Sequence, residues 1–317
     1  MDEERVRVQA SPSERAVRVR GPRTRIGTIV LLLALAASGC ATSRPEVLPP
    51  ASPAAPVIPW RARPFPTGER LVYRARVAGI DAARATLSVG QAQEEAGREL
   101  LPLRITVEGY EWLTRFYPLK IKFISWVDPP TLQPRRMERS GANGSVSRQV
   151  SLDFLPRGRV RVDFQNEGGK KRTWQRIARE GAYDYVSGLY EIRAWLLGTE
   201  TSREMAVFDG IWNRAVQITR GGIEEVWTPA GWFKARRFEV VAERIRVPGD
   251  KGGPKFAPRI EKFSAWVTDD DLLVPVRLLG ETPVGNAEVL LESRSVRPPA
   301  EEGGGGGPIT SAPTPGG

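Results

Sequence analysis

The sequence predicts a mainly β fold, a curved antiparallel sheet forming a half-barrel or flattened barrel in two similar halves, with one central amphipathic helix. Three observations predict this fold. Apolar and polar residues alternate with a period of two over most of the middle of the 317-residue chain. Turn residues separate the alternating segments, and a single segment has the 3.6-residue period of a helix.

The predicted strands are segments in which every second residue is apolar. Residues 71–77 and 101–107 show the pattern most clearly. A strand of this kind has one buried and one solvated face, which is typical of antiparallel sheets. Similar segments lie at residues 84–89, 119–127, 146–154, 159–164, 215–219, 225–228, 235–241, 260–267, 274–279 and 287–293. Glycine and asparagine at residues 141–144 and 283–286 predict hairpin turns.

One segment in the middle of the chain has helical periodicity. Asp184 is a typical N-cap and Gly198 is a typical stop, so the sequence predicts a helix over residues 185–197. With its two caps, this central helix covers about residues 184–198. The apolar face of this helix consists of Tyr185, Leu189, Ile192 and Leu196. Glu191 and Arg193 lie on the other side, which we expect to be solvated. We expect the helix to cover an open end or the concave face of the sheet, as a hinge between its halves.

The two halves share a pattern around one tryptophan each. Residues 123–128 resemble residues 263–269, and a leucine, a proline and an arginine follow each segment. Trp126 and Trp266 are 140 residues apart, which fits a duplicated β-meander rather than a solenoid repeat. Coincidence is the alternative, because strand and turn sequences resemble one another in general.

The N-terminal part has the organisation of an export signal. A basic stretch at residues 23–25 precedes a charge-free apolar run of 12 residues, 26–37, which ends at Ser38-Gly39-Cys40. This run is shorter than the roughly 20 residues that cross a bilayer, but its length and flanks are those of a secretory signal peptide. The small residues before Cys40 resemble a bacterial lipobox, so Cys40 is the predicted lipidation site, carrying palmitate-like acyl chains. A soluble secreted protein and an uncleaved anchor are the alternatives.

The composition of the chain predicts its domain organisation. Residues 1–40 form the lipoprotein signal peptide with an N-terminal extension. Residues 41–66, with eight prolines, form a Pro/Ala-rich tether that favours an extended conformation. Residues 67–297 form the β-rich domain, and we expect residues 298–317 to be a disordered Gly/Pro tail.

The composition also excludes several classes of enzyme. The chain has no histidine and one cysteine, which excludes Ser-His-Asp and Cys-His catalytic groups, histidine-ligated metal sites and a CxxC redox pair. Acidic clusters at residues 94–95, 224–225 and 269–271 leave a carboxylate-dependent glycan hydrolase as an enzymatic alternative, although hairpin turns explain such clusters better. We therefore expect no enzymatic activity, no catalytic residues, no cofactor and no metal.

Arginine carries most of the positive charge. Lys and Arg number 47 against 37 Asp and Glu, and arginine is suited to binding phosphate and carboxylate. The basic residues that crowd the first half are Arg104, Arg115, Lys120, Lys122, Arg135, Arg136, Arg139 and Arg148. An exported protein meets lipid headgroups, lipopolysaccharide phosphates and acidic polysaccharides rather than nucleic acid. The alternative is that arginine fills the solvated faces of strands.

Nine tryptophans are many for a domain of this size. Aromatic side chains can line an apolar or sugar-binding cavity, and filling of the core is the alternative. The candidate cavity-lining residues are Trp112, Trp126, Tyr185, Leu189, Trp195 and Trp266.

Three short motifs resemble a family of exported bacterial proteins, the domain of unknown function 3108. They are Gly68-Glu69-x-Leu71-x-Tyr73, Asp184-Tyr185-Val186-Ser187-Gly188-Leu189-Tyr190 with Arg193, and Trp266-Val267-x-x-Asp270 with Pro275. The resemblance covers about residues 65–296. It implies a location in the cell envelope and a β-rich fold, and it implies no catalytic residues. The tryptophan segments are also similar, at the level of fold, to lipoprotein carriers of the LolA/LolB type, which hold acyl chains beneath a helical lid.

Together these observations predict a membrane-anchored, non-enzymatic periplasmic lipoprotein. We expect it to bind or handle an apolar or anionic envelope component, lipid or lipopolysaccharide, or to support envelope assembly. Ala41 after Cys40 favours the periplasmic face of the outer membrane, with the inner membrane as the alternative. The alternative function is a scaffold that binds another envelope protein. A void beneath the helix favours ligand binding, whereas a filled interior favours the scaffold.

Overall fold

The computed structural model describes residues 63–144, 146–251, 259–282 and 285–296. The strands are β1 (Glu69–Val77), β2 (Ile80–Val89), β3 (Gln93–Glu95), β4 (Arg98–Gly109), β5 (Leu119–Val127), β6 (Pro134–Asn143), β7 (Val146–Phe154), β8 (Arg159–Asn166), β9 (Lys171–Ile177), β10 (Ser202–Phe208), β11 (Asn213–Thr228), β12 (Gly231–Ile245), β13 (Ile260–Thr268), β14 (Pro275–Thr282) and β15 (Gly285–Val296). The helices are α1 (Glu111–Thr114) and α2 (Tyr185–Trp195). The predicted mainly β class is confirmed. Neither helix of the described part is long and apolar enough to cross a membrane.

The strands form one large antiparallel sheet. Its order is β10-β11-β12-β13-β14-β15-β1-β2-β4-β5-β6-β7-β8-β9, and β3 pairs with β4 outside this path. The order is a circular permutation of the chain order, because the first and last strands pair with each other in the middle of the sheet. The two edge strands, β9 and β10, follow each other in sequence, and α2 lies in the segment that connects them. Tyr183, in the same segment, forms a parallel bridge with Val207 of β10.

Helix α2 packs against β4, β5 and β10, so it lies across one face of the sheet, which we call the inner face. Its start is as predicted. Asp184 accepts hydrogen bonds from the backbone N–H groups of Val186 and Ser187, and the Ser187 hydroxyl accepts one from the N–H of Asp184. Ser125 of β5 donates a further hydrogen bond to the Asp184 carboxylate at 2.5 Å. The cap therefore also fixes the helix to the sheet.

The burial of α2 differs from the prediction. Val186, Tyr190 and Ala194 are its most buried apolar side chains, at 2% exposure or less, whereas Tyr185, Leu189 and Ile192 of the predicted apolar face are only partly buried. Glu191 and Arg193, predicted to be solvated, are buried as well. The reason is that other parts of the chain contact the side of the helix that carries these two residues. Arg193 pairs with Glu69, and Glu191 pairs with Arg203. Phe65 contacts Tyr190, with ring centroids 4.9 Å apart.

The two halves repeat one local structure. Trp126 is paired in register with Arg136, and Trp266 with Arg277. In both pairs the guanidinium lies over the indole ring, at 4.3 Å and 4.8 Å. The register shifts directly after each tryptophan. The turn that follows contains a leucine with positive φ in both cases, Leu132 and Leu273.

Two strand predictions require correction. The segments 215–219 and 225–228 form a single strand, β11, with a register shift between Arg220 and Ile223. Gly221 and Gly222 therefore lie at a bulge and not in a turn, consistent with the conformational freedom of glycine. The predicted turn at residues 141–144 is reduced to its last positions, because β6 continues to Asn143.

Candidate functional site

The space between the middle of α2 and the sheet is filled by side chains. Phe65 and Tyr190 are each 1% exposed, and Val186 is fully buried. The guanidinium of Arg193 lies 5.2 Å from the Phe65 ring and 5.7 Å from the Tyr190 ring. This packing leaves the ends of the sheet as the places where the inner face can meet a ligand.

A cluster of charged side chains lies on the inner face near the first turn of α2. Its cations, which we call the arginine cluster, are Arg139, Arg148, Arg214, Arg244 and Arg259. They share the space with the carboxylates Asp209 and Glu261 and the phenols Tyr117 and Tyr185. Five guanidinium groups thus surround two carboxylates, and the local charge is positive.

The sheet register places Arg139 on the inner face. Arg139 in β6 is opposite Phe123 of β5, a core residue that is 1% exposed. Its guanidinium carbon lies 5.6 Å from the Phe123 ring. Met137, two positions earlier in the strand, is 2% exposed. Because side chains two residues apart share a face, Arg139 occupies a position that an apolar residue would normally take.

The same relation holds on the other side of the cluster. Arg214 of β11 and Arg244 of β12 are direct cross-strand partners. Each lies two positions from a core residue, Val216 and Ala242 respectively. Strands from distant parts of the sequence therefore bring three arginines to one end of the inner face.

Arg214 has carboxylate partners. It forms an ion pair with Asp209, and its Nε lies 3.5 Å from Glu261 Oε2. Tyr185 donates a hydrogen bond to Asp209 at 2.7 Å. Burial alone would raise the pKa of Asp209, but the charge and hydrogen bond of Arg214 hold that pKa below its ordinary value. Arg259 pairs with Glu261 at 2.9 Å.

Among the described residues, Arg139 and Arg244 lack such partners. Arg139 forms no ion pair and no side-chain hydrogen bond in this part of the chain, and its guanidinium lies over the Phe123 ring. Burial lowers the pKa of Arg139, and the neighbouring charge of Arg148 lowers it further. Arg244 stacks on the Trp212 ring at 4.3 Å, and its Nε is buried without a hydrogen-bond partner. Burial, and then Arg214 and Arg259, lower the pKa of Arg244 in the same way.

Arg176 is a fully paired arginine on the inner face. It lies in β9, is 4% exposed, donates to both carboxylate oxygens of Asp250 at 2.8 Å, and donates to the carbonyls of Gly210 and Ile211. A paired arginine of this kind stabilises the fold without a ligand. Buried Nε atoms without a hydrogen-bond partner also occur at Arg220 and Arg277, so such donors are not confined to the arginine cluster.

The structure separates the residues predicted to line a cavity. Tyr185 belongs to the site around the arginine cluster, and Leu189 is partly buried against the main core. Trp195 is buried and donates a hydrogen bond to Glu200 at 2.6 Å. Cys40 lies outside the described residues.

The remaining three tryptophans do not line the space around the arginine cluster. Trp266 belongs to a second, smaller core cluster. Trp126 is on the opposite face of β5 from Phe123, where Arg136 covers it. Trp112 is 49% exposed and donates a hydrogen bond to the carbonyl of Asp81.

Sequence reasoning identified part of the site. Arg139 and Arg148 belong to the basic group of the first half, but Arg214, Arg244 and Asp209 were not singled out. Strand alternation contains the missing signal, because Arg214 shares the parity of the buried residues Val216 and Ile218 in β11.

Comparisons with known proteins agree with the motifs. The chain matches the family model described as protein of unknown function (DUF3108) over residues 72–292, and no curated protein matches it in sequence. Among solved structures, the β-barrel-like protein of domain of unknown function DUF1849 from Brucella abortus is 10% identical with a TM-score of 0.46, covering 74% of this chain and 99% of that chain. The hypothetical lipoprotein YmcC from Escherichia coli K12 is 7% identical with a TM-score of 0.28, covering 77% and 91%. Since the family model spans more than half of its length, the chain belongs to the DUF3108 family.

Proposed function

We propose that this protein is a membrane-anchored, non-enzymatic component of the cell envelope that binds a phosphate-bearing anionic component through the arginine cluster. The observation that carries the proposal is Arg139, which faces inward without a carboxylate partner among the residues that the structure describes. A charge held away from water without a partner destabilises a fold. A bound anion would supply the missing partner for Arg139 and Arg244.

The chemistry of the cluster favours phosphate. A guanidinium group presents several N–H donors in a planar fork that matches phosphate oxygens. Arg139 lies beside Arg148, and Arg244 stacks on Trp212, so each presents guanidinium donors that a phosphate group can bind. Arg148, which is exposed, adds a third positive charge beside Arg139.

The predicted lipid anchor supports the location in the envelope. The signal peptide and the lipobox-like ending at Cys40 predict an acylated N-terminus on the periplasmic face of a membrane, and Ala41 favours the outer membrane. The predicted tether at residues 41–66 separates this anchor from the domain. Anionic lipids and lipopolysaccharide are then the phosphate-bearing components nearest to the domain.

Calorimetric titration of the full-length protein in detergent, with pyrophosphate as the probe, tests the proposal. We expect the wild-type protein to bind and Arg139→Gln to bind about 10- to 100-fold more weakly, because charged hydrogen bonds are lost. Arg70→Gln, at an exposed arginine of β1, is the matched control and should bind normally. Equal affinity of wild-type and Arg139→Gln proteins would contradict the proposal.

A second candidate function is a scaffold for another envelope protein. The packed interior beneath α2 fits it, and so does the hairpin of β11 and β12. Trp227 and Trp232 form a cross-strand pair there and are 53% and 70% exposed, whereas Val226 and Ala235 are buried. Exposed aromatic patches are typical of interaction sites. Photo-crosslinking in cells from position 232 would yield one discrete protein adduct if the hairpin binds a partner.

The acidic clusters give little support to a glycan hydrolase. Glu95 forms an ion pair with Arg136, and Asp269 with Arg236. Glu224 accepts a hydrogen bond from the Trp266 indole at 2.5 Å. These carboxylates have structural partners, so the non-enzymatic proposal is the one that we carry forward.

A further inference from the structure

Exposed apolar side chains surround one end of the sheet. Trp112 in α1 is 49% exposed, and Phe116 in the turn after α1 is 85% exposed. Ile80, at the start of β2, is 59% exposed. Trp112 donates a hydrogen bond to the carbonyl of Asp81 at 3.0 Å, which brings the two loops together. We call Ile80, Trp112 and Phe116 the apolar rim.

The rim is the outer side of an amphipathic segment. Leu113 and Tyr117, from the same stretch of chain, pack against the main core. Trp112 and Phe116 are four residues apart and both point outward. The segment is therefore held in place by its inner side, and its two outward aromatic side chains are not needed for that packing.

The rim lies next to the arginine cluster. Phe116 directly precedes Tyr117, whose hydroxyl donates to Asn143 Oδ1 at 2.6 Å. Burial raises the pKa of Tyr117, and the positive charge of Arg139 acts against that rise. Tyr117 therefore lies on the side of this segment that is near Arg139, whereas its neighbour Phe116 faces solvent.

Basic side chains accompany the rim. Arg115 and Lys120 have 70% and 80% of their side chains exposed, and each pairs with an exposed glutamate. Exposed ion pairs of this type contribute little to stability, so both cations can exchange their partners for an external anion. An open groove of about 670 Å³ runs beside Trp112. Three arginines, two carboxylates and a tyrosine line it with Trp112, namely Arg74, Arg84, Arg115, Asp81, Glu111 and Tyr110.

We propose that the apolar rim enters the interface of a lipid bilayer and that the phosphate bound by the arginine cluster belongs to a lipid headgroup of that bilayer. This inference rests on the anion site of the proposed function. Tryptophan and phenylalanine are suited to the membrane interface, and basic residues beside them are attracted to anionic lipids. The apolar rim and the arginine cluster lie at the same end of the sheet. A bilayer lipid requires this arrangement, because its phosphate headgroup lies directly beside the apolar region formed by the acyl chains.

Spin labelling of the full-length protein tests the inference. Cys40 is the sole cysteine and is predicted to be acylated, so Glu111→Cys introduces one label site beside the rim and leaves the rim intact. The protein is reconstituted into vesicles of phosphatidylethanolamine and phosphatidylglycerol, and collisions of the label with oxygen and with a water-soluble nickel chelate are compared. We expect the label at 111 to be in the lipid phase. A label at Glu225→Cys on the β11–β12 hairpin is the control and should be in water.

Two further variants separate the parts of the inference. Phe116→Ser in the Glu111→Cys background should move the label into water while pyrophosphate still binds in solution. Arg139→Gln should weaken pyrophosphate binding about 10- to 100-fold and reduce insertion into vesicles that contain phosphatidylglycerol. The label at 111 in the protein with an intact rim could remain in water while pyrophosphate binds. This result would overturn the inference and indicate a free phosphate compound as the ligand, and the proposed function would still stand. A label shielded from both collision partners would indicate a protein partner on the rim and would also overturn it.

Discussion

Arg193 in α2 donates hydrogen bonds to both carboxylate oxygens of Glu69 in β1, at 2.6 and 3.2 Å. The two side chains are 3% and 0% exposed. The same guanidinium donates to the carbonyls of Pro64, Leu272 and Leu273. One side chain therefore joins the helix to the start of the described chain and to the turn between β13 and β14.

Removal of this guanidinium should destabilise the fold strongly. We expect Arg193→Met to lower the free energy of unfolding by about 3 kcal/mol, because Glu69 remains charged in the interior. Arg294, 3.2 Å from Glu69, limits the loss. Urea unfolding followed by tryptophan fluorescence measures the effect, and adding Glu69→Gln should restore part of the stability. Arg70→Met, at an exposed position, should change it by less than about 0.5 kcal/mol.

The cap of α2 predicts a pH dependence. Burial raises the pKa of Asp184 above its ordinary value of 3.8, although hydrogen bonds from Ser125 and from the backbone oppose that rise. The folded protein therefore binds the proton of the Asp184 carboxyl more tightly than the unfolded chain does. The contribution of Asp184 to stability is fully present below the pKa of the unfolded chain and falls as the pH rises through the pKa of the folded state. Asp184→Asn lacks the titration. Its stability relative to wild type should therefore increase as the pH rises above the ordinary pKa of the carboxyl, 3.8, in urea unfolding.

Ser125→Ala provides the matched test of this interpretation. Loss of its hydrogen bond to Asp184 should raise the pKa of the carboxyl further and extend the pH dependence to higher pH. A stability difference between wild type and Asp184→Asn that does not vary with pH would contradict the interpretation that the pKa of Asp184 is raised.

The sequence predicts the strands whose inner positions are apolar and misses those whose inner positions are not. In β6 the inner face carries Arg139 and Gly141, and in the edge strand β9 Arg176 is the one buried residue. Alternation of apolar residues is lost in both strands. The strands that escaped prediction are thus partly those that contribute charged groups to the inner face, since arginine replaces apolar core residues at these positions.

Burial of Glu191 and Arg193 was not predictable from helical periodicity alone. The periodicity reports one apolar stripe, and it treats the other side of the helix as solvated. Here Phe65 and its neighbours cover that side, at a distance of more than a hundred residues in sequence. Similarly, Arg139 and Arg214 both act on Tyr185 and Asp209 only because the sheet brings β6 and β11 to one end of the inner face.

The close approach of β6 to β5 predicts that Gly141 cannot be replaced. A Cβ atom at this position would lie 2.0 Å from the carbonyl oxygen of Lys120, and its φ is 121°. We expect Gly141→Ala to lower the free energy of unfolding by about 3 kcal/mol or more and to displace Arg139, which lies two residues away. Gly79→Ala, with φ of 81° but open space around the new Cβ, should lower it by only about 1 kcal/mol. Equal losses in the two variants in urea unfolding would contradict this explanation.

The predicted anchor is tested at Cys40. Cys40→Ser should abolish the incorporation of labelled palmitate into the protein in growing cells, because no other cysteine is present. The protein should also leave the membrane fraction on extraction with salt and carbonate. Palmitate label that persists in Cys40→Ser would show that the acyl chains are attached elsewhere.

The last prediction concerns stability and binding at the arginine cluster. Arg139 is partly buried, has no carboxylate partner in the described part of the chain and lies near the positive charge of Arg148, so the site without an anion should destabilise the fold. Arg139→Met fills the same inner position with an apolar side chain. We expect it to raise the free energy of unfolding by about 1 kcal/mol and to abolish pyrophosphate binding, whereas Arg193→Met lowers stability. Pyrophosphate should stabilise the wild-type protein against urea but not Arg139→Met, because a ligand that binds only the folded state shifts the equilibrium toward it. An Arg139→Met variant that is less stable than wild type would instead assign Arg139 a structural role, and the proposed anion site would then lose its main support.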